Sequence, residues 1–336
     1  MHPVLKFRKT FLAAIAFVVL IVAVFILTKP KPLPLVILPS PNGYDDLVKG
    51  GEMIVGQEID CNFDNSECIE EWKAFFEKNN EALKLVRIGL SRESRVPMQF
   101  TNSSLANHGL AALKLLAQTL QAEGNVAQKE NRLDDAITSY LDVVRLSQKI
   151  RGGVMIDALV SLAIEPIGLQ PLQKASDKMT VDQRRRAIKT LSEVYSDRAS
   201  FNEIVTMEKA YARNAYTLSE KFSSLRYYFS MKDAERRLET KIKYRQCRMG
   251  VMLVDLAVRN YEAGKSQLPT ALAELVPEYL PFLPKDDFSG KDFIYHPQTN
   301  GYLLYGIGPD GKDDGGTPFS KKGGDSPGDM LNDAHY

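Results

Sequence analysis

The chain has 336 residues, with 43 Lys and Arg against 42 Asp and Glu, a formal net charge of +1. That balance argues against a protein that coats nucleic acid, which needs a basic excess to displace counterions. Apolar residues at 44% and charged residues at 25% exclude wholesale disorder, and the length allows one anchoring segment plus roughly two domains.

Thr10 to Thr28 (TFLAAIAFVVLIVAVFILT) carry no charge over 19 residues and are bounded by Lys9 and Lys29. As a helix they would run roughly 28 Å, enough for a bilayer core. Lys6, Arg8 and Lys9 precede them, a bias that places the N-terminus inside. A cleaved signal peptide would have a shorter apolar region ending in small residues, whereas this one runs into LTKPKPLP. The expectation is a cytoplasmic stub (1–9) and an uncleaved single-span anchor (10–28) in the inner membrane. The rest of the chain then lies outside the cytoplasm. In residues 29–60, Pro30, Pro32, Pro34, Pro39 and Pro41 fix φ and remove donors, which predicts an extended linker. An edge strand through Leu35–Leu38 is the alternative.

Cys61 and Cys68 are close in sequence, and in an oxidising envelope compartment they would form a local disulfide; two free thiols are the alternative. Cys247 is left over in a helical stretch and reads as a buried, inert thiol. No second Cys or His pair has zinc-ligand spacing.

Residues 61–230 read as an α-helical domain. ECIEEWKAFFEKNNEALKLV puts Ile69, Trp72, Phe75 and Phe76 on one face, with Trp72 expected as a core anchor. His108 stands alone and reads as structural. In LQAEGNVAQKENRLDDAITSYLDVVRLSQ, the residues Leu120, Gly124, Ala127, Ala136, Tyr140 and Val143 fall at the spacing of a tetratricopeptide-type hairpin, with Asn131-Arg132 at the turn. No second unit follows, and a solenoid needs about three, so an ordinary hairpin in a bundle reads equally. VMIDALVSLAIEPIGLQPLQKA is apolar nearly all round and predicts a central buried helix; Asp157 and Glu165 argue against a second span. Thr180 or Asp182 should cap the next helix, whose Arg184, Arg185 and Arg186 read as a solvated face.

Residues 231–336 begin with a long helix, charged through KDAERRLETKIKYRQCR and apolar through MGVMLVDLAVRNYEAG. Such a helix should pack onto something new near its C-terminus. PTALAELVPEYL predicts a short helix opened by Pro269, and DDFSGK predicts a turn. DFIYH and YLLYGIG predict two strands joined through Thr299-Asn300-Gly301, a strong hairpin signal.

This order resembles the periplasmic part of type II secretion major pseudopilins. The resemblance rests on Pro269, Leu275, Val276, Pro277, Tyr279, Leu280, Leu283, Pro284, Asp286 and Tyr295, then on Gly308, Asp310, Gly311, Gly315 and Gly316 in the loop. It covers about residues 247–333, a quarter of the chain. The whole architecture is similar to that of uncharacterised membrane-anchored bacterial proteins with a helical middle. The N-terminus lacks the pilin processing site, and about 220 residues separate the apolar segment from the module, so processing or polymerisation as a pilin is not expected. The resemblance implies a calcium-binding terminal loop. Asp310, Asp313, Asp314 and Asp329 among glycines fit that chemistry, since crowded carboxylates repel unless a hard cation gathers them. A solvated acidic tail is the other reading. An EF-hand is excluded because its twelfth position is Lys321.

Gly306-Ile-Gly308-Pro-Asp-Gly311 spells a dinucleotide fingerprint, but KDDGGTP after it starts no helix and would repel phosphate, so nucleotide binding is not expected. No nucleophile-elbow, zincin or Cys/His arrangement appears. The expected fold class is mainly α: an N-terminal transmembrane helix, a helical bundle and a small C-terminal α+β pseudopilin-like module. The expected function is non-catalytic: an envelope interaction or assembly scaffold with a protein partner. A carboxylate-dependent envelope hydrolase is the alternative, and it would need two buried, pKa-shifted carboxylates in one pocket.

Overall fold

The computed structural model describes residues 34–56, 59, 63–98, 109–215, 224–318 and 328–331. The expected anchor (10–28), Cys61 and His108 lie outside the described residues.

The first described helix, α1 (Gly43–Glu52), falls inside the stretch expected to be linker. Three glycines in GYDDLVKGGE lower its helix propensity and hide it from pattern reading. They also let it approach its neighbours: a Cβ on Gly51 would stand 2.7 Å from the Ala112 carbonyl oxygen. Leu47 is fully buried in one core with Leu83, Val86 and Leu113. Asn42 caps the helix and ties it down, its Oδ1 accepting the N–H of Tyr44 (3.3 Å) and of Arg95 (3.0 Å).

Helices α2 (Ser66–Lys78) and α3 (Asn80–Ser91) follow. Trp72 is not the core anchor expected of it. Only Cys68 of α2 is fully buried, and Trp72 sits half-buried in an aromatic group with Phe63, Phe75 and Phe76, ring centroids 5.3–6.0 Å away. The reason is position: α2 lies against α3 and α4 at the edge of the body.

The hairpin of α4 (Leu110–Lys129) and α5 (Leu133–Lys149) forms where the spacing places it. Asn131 adopts φ +60° in the turn, and the Arg132 N–H reaches back to the Ala127 carbonyl (2.8 Å). Tyr140 is fully buried over Gly124, where any Cβ would overlap the tyrosine ring. Its hydroxyl lies 2.9 Å from Asn125 Oδ1 and 2.8 Å from Gln128 Oε1. The next two helices, α6 (Met155–Ala175) and α7 (Val181–Ser196), do not repeat this packing. Both lean on α5, and α7 turns to its partner in the last long helix instead of pairing with α6. The hairpin is therefore a part of a bundle.

Met155–Lys178 is, among the described residues, the one stretch long and apolar enough to cross a membrane. It packs on α4 and α5 with Asp157 and Glu165 buried along it, and less than half of its most apolar stretch is buried. Thr180 caps α7 in a reciprocal pair: the Gln183 N–H donates to its Oγ1 (3.3 Å), and the Thr180 N–H donates to Gln183 Oε1 (2.9 Å). The arginine run is not one solvated face. Arg185 pairs with Asp182 at 3.1 Å and Arg186 with Asp134, both exposed, while Arg184 is half-buried toward Asn260 at 3.4 Å.

After α8 (Phe201–Ala215) comes α9 (Ser224–Lys265), a helix of 42 residues. Its charge-rich part carries the exposed pairs Asp233–Arg236 and Glu239–Lys243 at 2.9 and 3.1 Å. From Cys247 to Val258 it is buried on nearly every face. What covers it is α7 on one side and the C-terminal module on the other. The module's expected short helix shrinks to a 3₁₀ turn, Leu272–Leu275, because Pro277 holds Val276 extended at φ −105°, ψ 135°. Strands β1 (Ile294–Gln298) and β2 (Gly301–Gly306) form the antiparallel hairpin, with Ile294 opposite Tyr305 and Gln298 opposite Gly301. A two-residue strand, β3 (Met330–Leu331), returns from the acidic segment onto β2 and was not foreseen. The body is mainly helical, and one core runs from Ala127 through Leu191 and Val254 to Leu275, Phe293, Leu304 and Met330. The boundary expected at 230/231 therefore does not separate two cores.

Candidate functional site

Among the described residues, chemistry-bearing side chains come together in the aspartate-rich loop after β2, in a cleft behind Gly152-Gly153 and in a groove over α2, α3, α4 and α5, among other places.

In the loop, the expected metal ligands hold their own backbone. Asp313 Oδ1 accepts the Tyr305 hydroxyl (3.0 Å) and the Gly315 N–H (2.9 Å). Asp314 Oδ2 accepts the Gly328 N–H (2.8 Å), and Asp310 Oδ1 accepts the Lys312 N–H (3.2 Å). Asp329 is 1% exposed and its Oδ2 accepts the N–H groups of Asp314 (3.0 Å) and Gly316 (2.7 Å). Burial holds the Asp329 carboxyl above its ordinary value against these hydrogen bonds, with the charges of Asp313 and Asp314 adding. Burial, then Asp313, pushes the Tyr305 hydroxyl up to about 12. The structure thus brings Asp313, Asp314 and Asp329 into one loop and leaves Asp310 at its exit from β2. Among the described residues no group of three His, Cys, Asp or Glu side chains is placed to hold a metal ion. Cys68 is disulfide-bonded and buried, and Cys247 is a buried free thiol, as expected of it.

The cleft has a volume of about 70 Å³, between the Gly152-Gly153 bend, α6, the α7–α8 junction and α9. Ligand pockets run to about 300–1,000 Å³, so this one has room for a few water molecules. Its floor is an ion pair, Arg198 Nη2 to Glu165 Oε2 at 2.8 Å, both side chains largely buried. Glu165 Oε1 is buried with no hydrogen-bond partner among the described residues.

Two further carboxylates with raised pKa, Asp157 and Glu208, lie at the start of α6. Burial, with the Glu208 charge adding, pushes Asp157 up to about 6. Glu208 is itself raised by burial. Asp157 Oδ2 accepts the Val154 N–H (2.8 Å) and Glu208 Oε2 accepts the Met155 N–H (2.9 Å). Both serve the first turn of α6, whose N–H groups have no partner within the helix. Neither lines the cleft.

The groove is wider, about 360 Å³, and is lined by Lys73, Phe76, Arg87, Glu123, Arg132 and Ser139 among others. Its charges are paired: Arg87 with Glu123 at 2.6 Å and Lys73 with Glu130 at 2.5 Å. It joins the α4–α5 hairpin to the aromatic face of α2. Hairpin spacing could have located one wall; the other depends on where α2 docks.

No family model, curated protein or solved structure matches the chain.

Proposed function

We propose that this chain is a single-span protein of the inner membrane whose body, outside the cytoplasm, is a non-catalytic scaffold for an envelope protein partner. The observation that carries this reading is the contrast between cleft and groove. The cleft is water-sized and its carboxylate is tied to Arg198, while the larger groove offers both charge signs and Phe76 beside the α4–α5 hairpin. The carboxylate-dependent hydrolase would need two buried, pKa-shifted carboxylates facing one cavity. Asp157 and Glu208 face a helix end. The C-terminal module is proposed to be pseudopilin-like, with calcium as a structural cation in the Asp310–Asp329 loop and no nucleotide or nucleic acid as ligand.

The test uses the full chain in native membranes, carrying a photo-crosslinking side chain at Thr138 in the groove or, as control, at Asn300 on the hairpin tip. A discrete adduct from position 138 and none from position 300 supports the scaffold. Equal labelling from both, or a C-terminal reporter active only in the cytoplasm, overturns it.

A further inference from the structure

Residues 34–39 carry the largest exposed apolar side chains described. Leu35 is 87% exposed and Ile37 73%, and Leu38 is also open. Val36, between them, points the other way and packs against Val154, Met207 and Tyr211. The segment forms no helix and belongs to no sheet among the described residues. It is therefore fastened to the body through Val36 at the start of α6 and the middle of α8, with its other apolar side chains open.

We propose that this open face, Leu35 and Ile37 with Leu38, lies in the headgroup region of the same bilayer that holds the anchor; this rests on the single-span reading above. Leu35 follows Thr28 by seven residues, so it can be no more than roughly 25 Å from the end of the apolar segment. The interfacial zone is roughly 5–8 Å deep on each side of the hydrocarbon core. The strip is thus within reach of it. Lys29 and Lys31 lie between the two, and their charge suits anionic headgroups. A second strand is a poorer occupant, because Pro34 and Pro39 leave only four residues with N–H groups between them. Val36 fixes the strip to the body, so the body rests against the bilayer with the Val154–Met207–Tyr211 face toward lipid and does not stand off on a spacer.

The full chain is reconstituted in phosphatidylcholine–phosphatidylglycerol vesicles as Trp72→Phe with a new tryptophan from Ile37→Trp, from Leu35→Trp or, as control, from Asn300→Trp. Far-ultraviolet circular dichroism checks that each variant keeps its helix content. Lipids brominated near the top of the acyl chain should quench tryptophan at 37 and 35 roughly twofold and leave 300 unaffected. If the protein floats with the vesicles but 37 and 35 are not quenched, the proposal fails and the anchor stands. Blue-shifted, unquenched emission there means that protein covers the strip, which also overturns it. If the protein does not float, the anchor reading fails and takes the proposal with it.

Discussion

The turn at Asp286 and the loop from Asp310 to Asp329 are built from the same residue types, aspartate and glycine around a chain reversal, yet they are held in different ways. In the turn, four donors converge on one carboxylate: the Cys247 thiol (3.0 Å), the N–H groups of Phe288 (3.0 Å) and Ile307 (3.2 Å), and the Ser289 hydroxyl (2.8 Å). Asp286 is 1% exposed, and its partners belong to α9, the turn itself and the end of β2. In the loop, four carboxylates share donors that come mostly from the loop's own backbone. The first arrangement brings four donors to one buried carboxylate and locks three elements together, while its neighbour Asp287, raised by burial with the Asp286 charge adding, keeps a buried oxygen with no hydrogen-bond partner among the described residues. The second leaves like charges near each other. The turn gathers four donors on one buried carboxylate, whereas the loop spreads six donors over four carboxylates.

Asp286→Ala should produce the largest loss. It strands a buried thiol together with two part-buried N–H groups and a part-buried hydroxyl where α9 meets the hairpin. Breaking such a network costs about 3–5 kcal/mol. Denaturant titration of the full chain in detergent should show this as a lower midpoint, with Asp286→Asn intermediate because one acceptor oxygen survives. An alanine variant within about 1 kcal/mol of the parent would mean that the turn is held by Phe288 and Phe293 packing and not by the carboxylate.

A third buried carboxylate sharpens the contrast. Asp157 has the Val154 N–H, the neighbouring Glu208 charge and little else, and its pKa is raised to about 6. The folded protein then holds a proton that the unfolded chain has released, between about pH 4 and 6. Its stabilising contribution is fully present below pH 4 and is lost as pH rises through 6, by roughly 3 kcal/mol if the whole shift is realised. Asp157→Asn keeps an oxygen for the Val154 N–H and removes the charge. Melts between pH 4.5 and 7.5 should therefore fall with pH more steeply in the parent than in the variant. Parallel slopes would assign the pH dependence to other groups.

Much of this was legible beforehand, and the exceptions share a cause. The α4–α5 hairpin, its turn at Asn131, the cap at Thr180, the solvated-to-buried change along α9 and the existence of the β1–β2 hairpin all follow from local spacing or local turn chemistry. Helix α1 escaped notice because its glycines act through a partner, Ala112, that is distant in sequence. Trp72 was misplaced because hydrophobic periodicity gives a helix face but not how deeply that face is covered. Asp157 and Glu208 come together only because α8 crosses the start of α6, a contact with no sequence pattern. The four loop aspartates were legible as a cluster; that their oxygens accept loop N–H groups was not, because it depends on β3 returning to β2.

The loop itself carries the smallest expected effect, and it tests the comparison from the other side. If carboxylate crowding is what distinguishes it from the Asp286 turn, calcium should relieve the crowding. Burial and the charges of Asp313 and Asp314 hold the Asp329 carboxyl up, so a divalent cation bound at Asp329 would offset an unfavourable interaction already present. Extracellular sites of this kind bind at about 10⁻⁴–10⁻³ M, so millimolar calcium should add on the order of 1 kcal/mol, roughly 2–4 °C in melting temperature. Asp310→Ala and Asp329→Asn should each abolish that increment, and magnesium should not replace it. The effect on Asp329→Asn distinguishes two physical accounts. Were the loop fully served by its own N–H groups, the asparagine would keep those bonds, lose a repelled charge and melt higher than the parent without calcium. A parent whose melting temperature ignores both calcium and chelator would show that the donors of Asp314, Gly315, Gly316 and Gly328 already suffice, and that the loop differs from the Asp286 turn in exposure alone.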